Sequence, residues 1–172
     1  MKVEKYETIE STHKYLKENQ QKYMDKTAII ANMQTEGIGT KGRNWFTGSN
    51  KNIAISVLYR PICKIEDLNG LTVKIAKILQ RDIYDLYNVE LTIKMPNDLM
   101  LNGKKICGIL TEVNTIGSKI NYLIISVGFN VNEIDFPKEL ENVATSLKKE
   151  IGREFDKNEI LKKFIETLEN LV

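Results

Sequence analysis

Residues 94–112 read Lys94-Met-Pro-Asn-Asp-Leu-Met-Leu-Asn-Gly-Lys-Lys-Ile-Cys-Gly-Ile-Leu-Thr-Glu112. Lys94 closes a β-rich run, Val89 to Ile93. Pro96, Asn97 and Asp98 then force a turn, since proline bars the residue before it from helical geometry and Asn and Asp bond their own backbone. A short apolar step, Leu99 to Leu101, leads into Asn102-Gly103. Asn-Gly is the strongest two-residue hairpin signal, because both central positions of that turn need positive φ. The chain returns through Lys104 and Lys105 into an apolar strand ending near Glu112. Two cations and several carboxamide or carboxylate groups should therefore converge on one sheet end, an arrangement suited to holding an anion.

Working outward, Ser11-Thr12 reads as the N-cap of a helix running to about Met24. Thr27 to Met33 is a short apolar run, read as a buried strand. A glycine-rich loop, Gly37 to Gly48, follows, and Ile53 to Tyr59 alternates as a strand does. Between Asp67 and Tyr87, Leu71, Ile75, Ile78, Leu79, Ile83 and Leu86 recur at helical spacing. Residues 89–95, 105–114 and 119–131 read as strands, the last two joined by a hairpin-length connection at 114–118. Asp156 with Glu159 forms a capping-box pattern. It opens a final helix with Ile160, Phe164, Leu168 and Leu171 on one face. The strands cluster by hairpin rather than alternating with helices. That predicts an α+β fold, a mixed or antiparallel sheet with helices on one side, and not a doubly wound one.

Composition narrows the function classes. The 172 residues suffice for one domain with a real core, and no repeat or Pro/Gly/Ser linker divides them. Hydrophobic content is 42% and charged content 28%, with net charge +2, too small to imply a nucleic-acid partner by itself. No apolar run reaches the ~18 residues of a membrane span. The start, Met-Lys-Val-Glu-Lys-Tyr-Glu, lacks the apolar core of a secretion signal. Cys63 and Cys107 show no metal-type spacing and the chain has a single histidine, His13, so no zinc site is expected. A reduced, cytoplasmic setting fits these features.

Gly37-Ile-Gly-Thr-Lys-Gly42 matches the dinucleotide fingerprint literally. That fingerprint requires a helix opening at the loop, whereas this loop runs through Arg43-Asn44-Trp45-Phe46-Thr47-Gly48-Ser49-Asn50 into a strand. Two readings remain. Glycines can free successive N–H groups to wrap an anion, with Arg43 offering a bidentate fork and Trp45 a ring to stack on. Alternatively, they serve only as turns in a long hairpin loop, with Trp45 in the core.

Four segments together resemble the catalytic domain of the biotin protein ligases, the biotin–[acetyl-CoA-carboxylase] ligase family. They are Glu10-Ser-Thr-His13; Gln34-Thr-Glu-Gly-Ile-Gly-Thr-Lys-Gly-Arg-Asn-Trp45; Lys94-Met-Pro-Asn-Asp98 with Asn102-Gly-Lys-Lys-Ile-Cys-Gly-Ile-Leu110; and Val127-Gly-Phe-Asn-Val-Asn132. The family shows a Ser-Thr-Asn start, a GRGRxGRxW loop, a KWPND–NGKKxxGIL block and a GxNxN segment. Order and spacing agree from about residue 8 to residue 132, and four motifs in order make a chance match improbable.

The resemblance implies a class II aminoacyl-tRNA synthetase/biotin ligase-like fold and a two-step reaction. Biotin and ATP are the substrates, with phosphate-bound Mg²⁺, and no protein metal site is implied. The partner is the biotin carboxyl carrier protein of acetyl-CoA carboxylase. It implies biotin-binding roles for Ser11, Thr12, Gln34, the loop Gly37, Ile38, Gly39 and Thr40, and Lys105 and Gly108. Gly42, Arg43, Trp45, Lys94, Asn97, Asp98, Asn130 and Asn132 would face ATP or the adenylate. Lys94, Lys105 and Arg43 would supply the positive charge for catalysis.

Plainer readings stand beside these roles. Ser11 and Thr12 serve equally as cap residues, Asn97 and Asp98 as turn residues, and Lys94 and Lys105 as lysines guarding a strand edge. Lys104 reads as a solvated charge and His13 as a surface helix residue, since no Ser or Cys partner constellation is apparent.

This chain departs from the family at Ile38 and Thr40, where two loop arginines usually stand, at Met95, and at His13 in place of Asn. The second loop arginine usually helps retain the adenylate, so weaker retention is expected. The chain is expected to be a single catalytic domain over 1–172, with neither the N-terminal helix-turn-helix nor the C-terminal β-barrel of many members, hence with no DNA partner and no membrane. Pairing through the sheet, as the family often does, leaves a homodimer open. The competing functions are a lipoate or octanoate ligase or transferase on the related fold, and a non-catalytic biotin- or nucleotide-binding module.

Overall fold

The computed structural model describes residues 1–48 and 50–171; Ser49 and Val172 lie outside the described residues. Seven strands form one sheet: β1 (Lys2–Ile9), β2 (Thr27–Gln34), β3 (Ile53–Tyr59), β4 (Thr92–Lys94), β5 (Asp98–Leu101), β6 (Lys104–Ile116) and β7 (Lys119–Phe129). Their spatial order is β1-β2-β3-β7-β6-β5-β4. β1 runs parallel to β2, and every other pairing is antiparallel. The helices are α1 (Thr12–Asn19), α2 (Leu71–Tyr87), α3 (Leu147–Ile151) and α4 (Lys157–Glu169). Among the described residues no helix is long and apolar enough to cross a membrane.

The local signals act as their chemistry requires. The Ser11 hydroxyl accepts the Lys14 N–H and caps α1. Asn102 and Gly103 take φ values of 51° and 79°, and close the β5–β6 hairpin between Leu101 and Lys104. Asp156 accepts from the N–H groups of Asn158 and Glu159. The capping box is only half formed, because Glu159 accepts instead from the Tyr87 hydroxyl at 2.6 Å.

Several elements differ from the sequence-based expectation. The first helix stops at Asn19 and continues as a 3₁₀ turn, Gln20–Lys22, instead of reaching Met24. α2 starts at Leu71, after a separate 3₁₀ turn at Ile65–Leu68. The strand expected over 89–95 is only three residues long, and β7 ends at Phe129 instead of 131. β1 was not expected at all. Its Lys and Glu residues stay at the surface as an edge strand's do, so it carries no clear apolar alternation.

The larger correction concerns the layers. Helices cover both faces of the sheet, not one. Ile53, Ile55, Val57 and Tyr59 of β3 pack in the main core with Ile75, Leu79 and Ile83 of α2 and Phe164 and Leu168 of α4. Phe129 and Phe164 meet edge to face, with centroids 5.4 Å apart. On the opposite face, Leu16 of α1 packs with Ile29, Leu58, Tyr122 and Ile124. This second cluster is short, and α1 gives way along its N-terminal turn to polar residues. The site lies there.

Candidate active site

The floor of the site is the β6–β7 ladder where Gly108 pairs with Gly128. The Trp45 indole lies against this pair. A Cβ on Gly128 would fall 2.3 Å from the ring's Cε2 and Nε1, and one on Gly108 would fall 2.9 Å from Cζ3. Only a strand position without a side chain admits the ring so closely. Its indole N–H is buried without a hydrogen-bond partner. The loop that delivers Trp45 folds as a small hairpin, with bridges between Gln34 and Thr47 and between Ile38 and Asn44. Trp45 N–H donates to Gly37 O at 2.7 Å and Gly39 N–H to Arg43 O at 2.7 Å. The Gly39 amide is thus used within the loop and is not presented to an anion, and the loop leads into β3, not into a helix. The loop is thus folded as a hairpin, with Trp45 on the site floor and not in the core.

Two cavities meet at this ring. A narrow one of about 30 Å³ is lined by Ser11, Thr12, His13, Gln34, Ile38, Gly39 and Ser126 among others. A broad one of about 450 Å³ carries Arg43, Lys94, Asp98, Asn130, Phe136 and Asn142 on its walls. Gly39, Thr40, Trp45 and Lys105 line both. The broad cavity is of ordinary small-molecule size. The narrow one is much the smaller, with Trp45 and Ile38 among the residues that line it.

Lys105 stands at the junction. Its ammonium lies 2.7 Å from Asp98 Oδ1 and 5.4 Å from the Trp45 ring centre. Its backbone is held on both sides, with N–H donating to Val143 O at 2.8 Å and its carbonyl accepting from Thr145 N–H at 2.9 Å. Asn97 pins the turn to β6: its carbonyl accepts from Ile109 N–H at 2.9 Å, and its amide donates to Ile109 O at 3.2 Å and to Asp98 Oδ1 at 3.0 Å. The turn therefore aims Asp98 at Lys105. Lys94 and Arg43 are exposed and reach the broad cavity from its two rims.

The narrow cavity ends in a chain of polar side chains. Thr12 N–H donates to Gln34 Oε1 at 2.8 Å, and the Thr12 hydroxyl oxygen lies 3.1 Å from the same atom. Gln34 Nε2 donates to Thr47 Oγ1 at 3.0 Å, which fixes the amide's orientation. From Thr12 the chain passes to Ser56 at 2.8 Å, to Ser126 at 2.7 Å and to His13 Nδ1 at 2.9 Å. His13 Nε2 meets Glu112 Oε2 at 3.1 Å, and Lys17 Nζ lies 2.9 Å from the other oxygen. Burial works against ionisation of Glu112, but the Lys17 and His13 hydrogen bonds outweigh it and hold its carboxyl below the usual range. His13 is 5% exposed, so the surface reading of this residue is wrong. It sits in the first turn of α1, where a helix on the sheet must bury its side chains.

Most of the expected site residues come together around these two cavities. Gly37 and Gly42 do not line either cavity. A Cβ on Gly37 would strike the Trp45 carbonyl oxygen at 2.3 Å, and Gly42 takes a φ of 69°. Asn132 lines neither. Its amide clamps Phe155, accepting from its N–H at 3.0 Å and donating to its carbonyl at 2.9 Å. Asn130 does line the broad cavity, although its amide N–H₂ donates to Thr145 O at 3.0 Å. Sequence reasoning missed Ser56, Ser126 and Glu112, and the Phe136–Ala144 wall of the broad cavity. The usable signal was a lone serine inside each of two strongly apolar strands, β3 and β7.

Residues 6–130 match the model of the biotin/lipoate A/B protein ligase family. The chain belongs to this family. Among curated relatives, the bifunctional ligase/repressor BirA of Bacillus subtilis is 35% identical over 133 residues, covering 76% of this chain and 41% of the relative. The biotin–[acetyl-CoA-carboxylase] ligase of Mycobacterium tuberculosis is 29% identical over 150 residues, covering 85% of this chain and 54% of that protein. The chain thus spans about half or less of these two relatives. The biotin protein ligase of Aquifex aeolicus, solved with biotin and ATP, superposes with a TM-score of 0.86 at 27% identity, over 99% of this chain and 69% of that one. The mixed, helix-flanked sheet is the biotin ligase fold.

Proposed function

We propose that this family member is an ATP-dependent biotin protein ligase. The observation that carries the reading is Lys105, a lysine shared by a cavity with a polar end and a broader cavity with further cations. In the first step a biotin carboxylate oxygen attacks the α-phosphorus of ATP. The bond to the bridging oxygen breaks, and pyrophosphate leaves with its electron pair. Lys105, at the junction, would neutralise the carboxylate and then the charge that builds on phosphorus. Lys94 and Arg43 on the walls of the broad cavity would serve the phosphates. Two anions are thereby brought together by fixed cations, without a covalent enzyme intermediate. In the second step a neutral lysine amine of a carrier protein attacks the acyl carbon. An amide forms, AMP leaves, and the amine proton passes to solvent.

Among the described residues no cluster of three or more His, Cys, Asp or Glu could hold a metal. Mg²⁺ suits this site as a partner of the ATP phosphates, since it binds through phosphates and one or two protein carboxylates. Asp98 is the carboxylate on that wall. The polar end of the narrow cavity supports biotin over a lipoyl or fatty acyl group. Gln34, Thr12 and Ser126 can exchange hydrogen bonds with a cyclic urea, which a dithiolane or alkyl end cannot do. The acceptor on this reading is a biotin carboxyl carrier protein. The test is ATP- and biotin-dependent labelling of a purified carrier domain. Labelling with lipoate or octanoate instead would reverse the head-group reading, and binding of biotin with no transfer would reduce the protein to a binding module.

A further inference from the structure

The polar chain ends on the His13 imidazole, and its wiring decides what the narrow cavity can accept. Imidazole titrates between about pH 5 and 8. Glu112, held ionised, only accepts, so His13 Nε2 carries a proton in both charge states. The two states therefore differ at Nδ1, which faces Ser126 Oγ at 2.9 Å.

With neutral His13, Nδ1 accepts the Ser126 hydroxyl proton. Ser126 then accepts from Ser56, and Ser56 is free to accept from Thr12. The chain runs toward His13. The Thr12 oxygen keeps two lone pairs, and Gln34 Oε1, already accepting from Thr12 N–H, keeps one. With protonated His13, Nδ1–H donates to Ser126, Ser126 to Ser56 and Ser56 to Thr12. The Thr12 hydroxyl must then donate to Gln34 Oε1. Thr12 keeps one lone pair and Gln34 Oε1 none. Protonating His13 thus removes acceptor capacity from the end of the chain where an incoming head group would bind.

We propose that His13 is a positioning residue that sets the donor direction of the Ser126–Ser56–Thr12–Gln34 chain, so that the narrow cavity takes an N–H-donating head group best when His13 is neutral. The proposal rests on the reading of the ligand as biotin, whose cyclic urea presents two N–H donors.

The charged surroundings of His13 are few. β6 brings Glu112 to it, Lys17 on α1 pairs with the same carboxylate, and Tyr122 on β7 lies near Lys17. Beside Tyr122, β7 and β3 turn Ile124, Ser126, Ala54, Ser56 and Leu58 toward this face, none of which titrates. Lys105 lines the same cavity.

The chain has one histidine, so its imidazole resonances report His13 without ambiguity. The experiment follows those resonances by NMR between pH 5 and 8, with and without saturating biotin, beside calorimetric titration of biotin at each pH. Reciprocity requires that if biotin prefers neutral His13, biotin must lower the midpoint of the imidazole titration. The expected result is that lowered midpoint, with biotin affinity falling about two- to tenfold from pH 8 to pH 5, the worth of one hydrogen bond. His13→Asn, which carries no titrating group, should bind biotin with an affinity flat over the same range. A midpoint that biotin leaves unmoved or raises, or a wild-type affinity independent of pH, overturns the proposal even if the variant does not fold. Absence of biotin binding at every pH instead overturns the ligand reading, and the proposal with it.

Discussion

On the face covered by α2 and α4, β3 presents Ile53, Ile55, Val57 and Tyr59; on the face covered by α1 the same strand presents Ala54, Ser56 and Leu58. Strand β7 repeats the contrast, with Leu123, Ile125, Val127 and Phe129 on one side and Tyr122, Ile124, Ser126 and Gly128 on the other. The first face is continuous hydrocarbon, and its polar anchor, the Tyr59 hydroxyl, donates to Leu168 O at 2.7 Å. The second face interrupts its core with hydroxyls, glycines and a histidine. Strand alternation lets one sheet hold a stability face and a chemistry face with period two between them. The difference shows why the site costs the fold little: from Gln34 to Glu112 its polar side chains satisfy one another, leaving the Trp45 indole N–H and Asn130 Oδ1 without partners, and the apolar packing they forgo is supplied behind them.

If that division is real, substitutions on the two faces should separate function from stability. The largest effect is expected for Lys105→Ala, which should lower carrier labelling about a thousandfold or more by removing a charge placed for the transition state. Its unfolding free energy should change by no more than about 1 kcal/mol, because the Lys105–Asp98 pair is only partly buried. Denaturant unfolding beside a labelling assay reads both. The mirror case is Phe164→Ala on the hydrocarbon face. It should cost about 3–5 kcal/mol in unfolding free energy while leaving the affinity of the remaining folded protein for biotin unchanged. A large affinity change there would mean that the two faces are coupled.

Next in size is the loop over the junction. Thr40 lines both cavities where the family usually places an arginine. Thr40→Arg restores a charge-assisted hydrogen bond worth about 1.5–3 kcal/mol. Dialysis of enzyme loaded with biotin and ATP should show about 10- to 150-fold tighter retention of the adenylate. Equal escape from both forms would remove position 40 from that role. Trp45 offers a smaller but cleaner signal, since it is the chain's single tryptophan. Its ring lines both cavities, so biotin bound there should change the intrinsic fluorescence. An unaltered emission spectrum at saturating biotin would place the ligand elsewhere.

The smallest effect concerns Glu112. Its carboxyl is held below its ordinary range, so the stability it contributes is present above about pH 4.3, the unfolded value, and is lost as pH falls through the folded one. Glu112→Gln should lower stability above about pH 4.3 and flatten the acid side of the curve, so that the two proteins converge as pH falls. Thermal melts from pH 3 to 8 would read it.

Much of the sheet was legible because its signals are local. The Asn102-Gly103 turn, the apolar period of α2 and the Asp156 cap each act within a few residues. The Lys94–Glu112 block likewise folded into one wall of the site, with Lys105 and Asp98 as neighbours. What could not be read was long-range. Whether a helix lies in front of a sheet or behind it is not encoded in its own period, so the pattern of α1 does not show that it lies on the face opposite α2 and α4. β1 is an edge strand whose charged positions face water. The burial of His13 is hidden for the same reason: its partners Ser126 and Glu112 lie 113 and 99 positions away. A histidine is informative only once the strand beneath it is known.

Whether Lys105 joins a biotin carboxylate to a nucleotide phosphate is read by biotin-dependent ATP–pyrophosphate exchange. The expected result is exchange that requires biotin, is not supported by lipoate or octanoate, and is lost in Lys105→Ala. Exchange that survives in Lys105→Ala, or no exchange by the wild-type protein with biotin, would contradict that role.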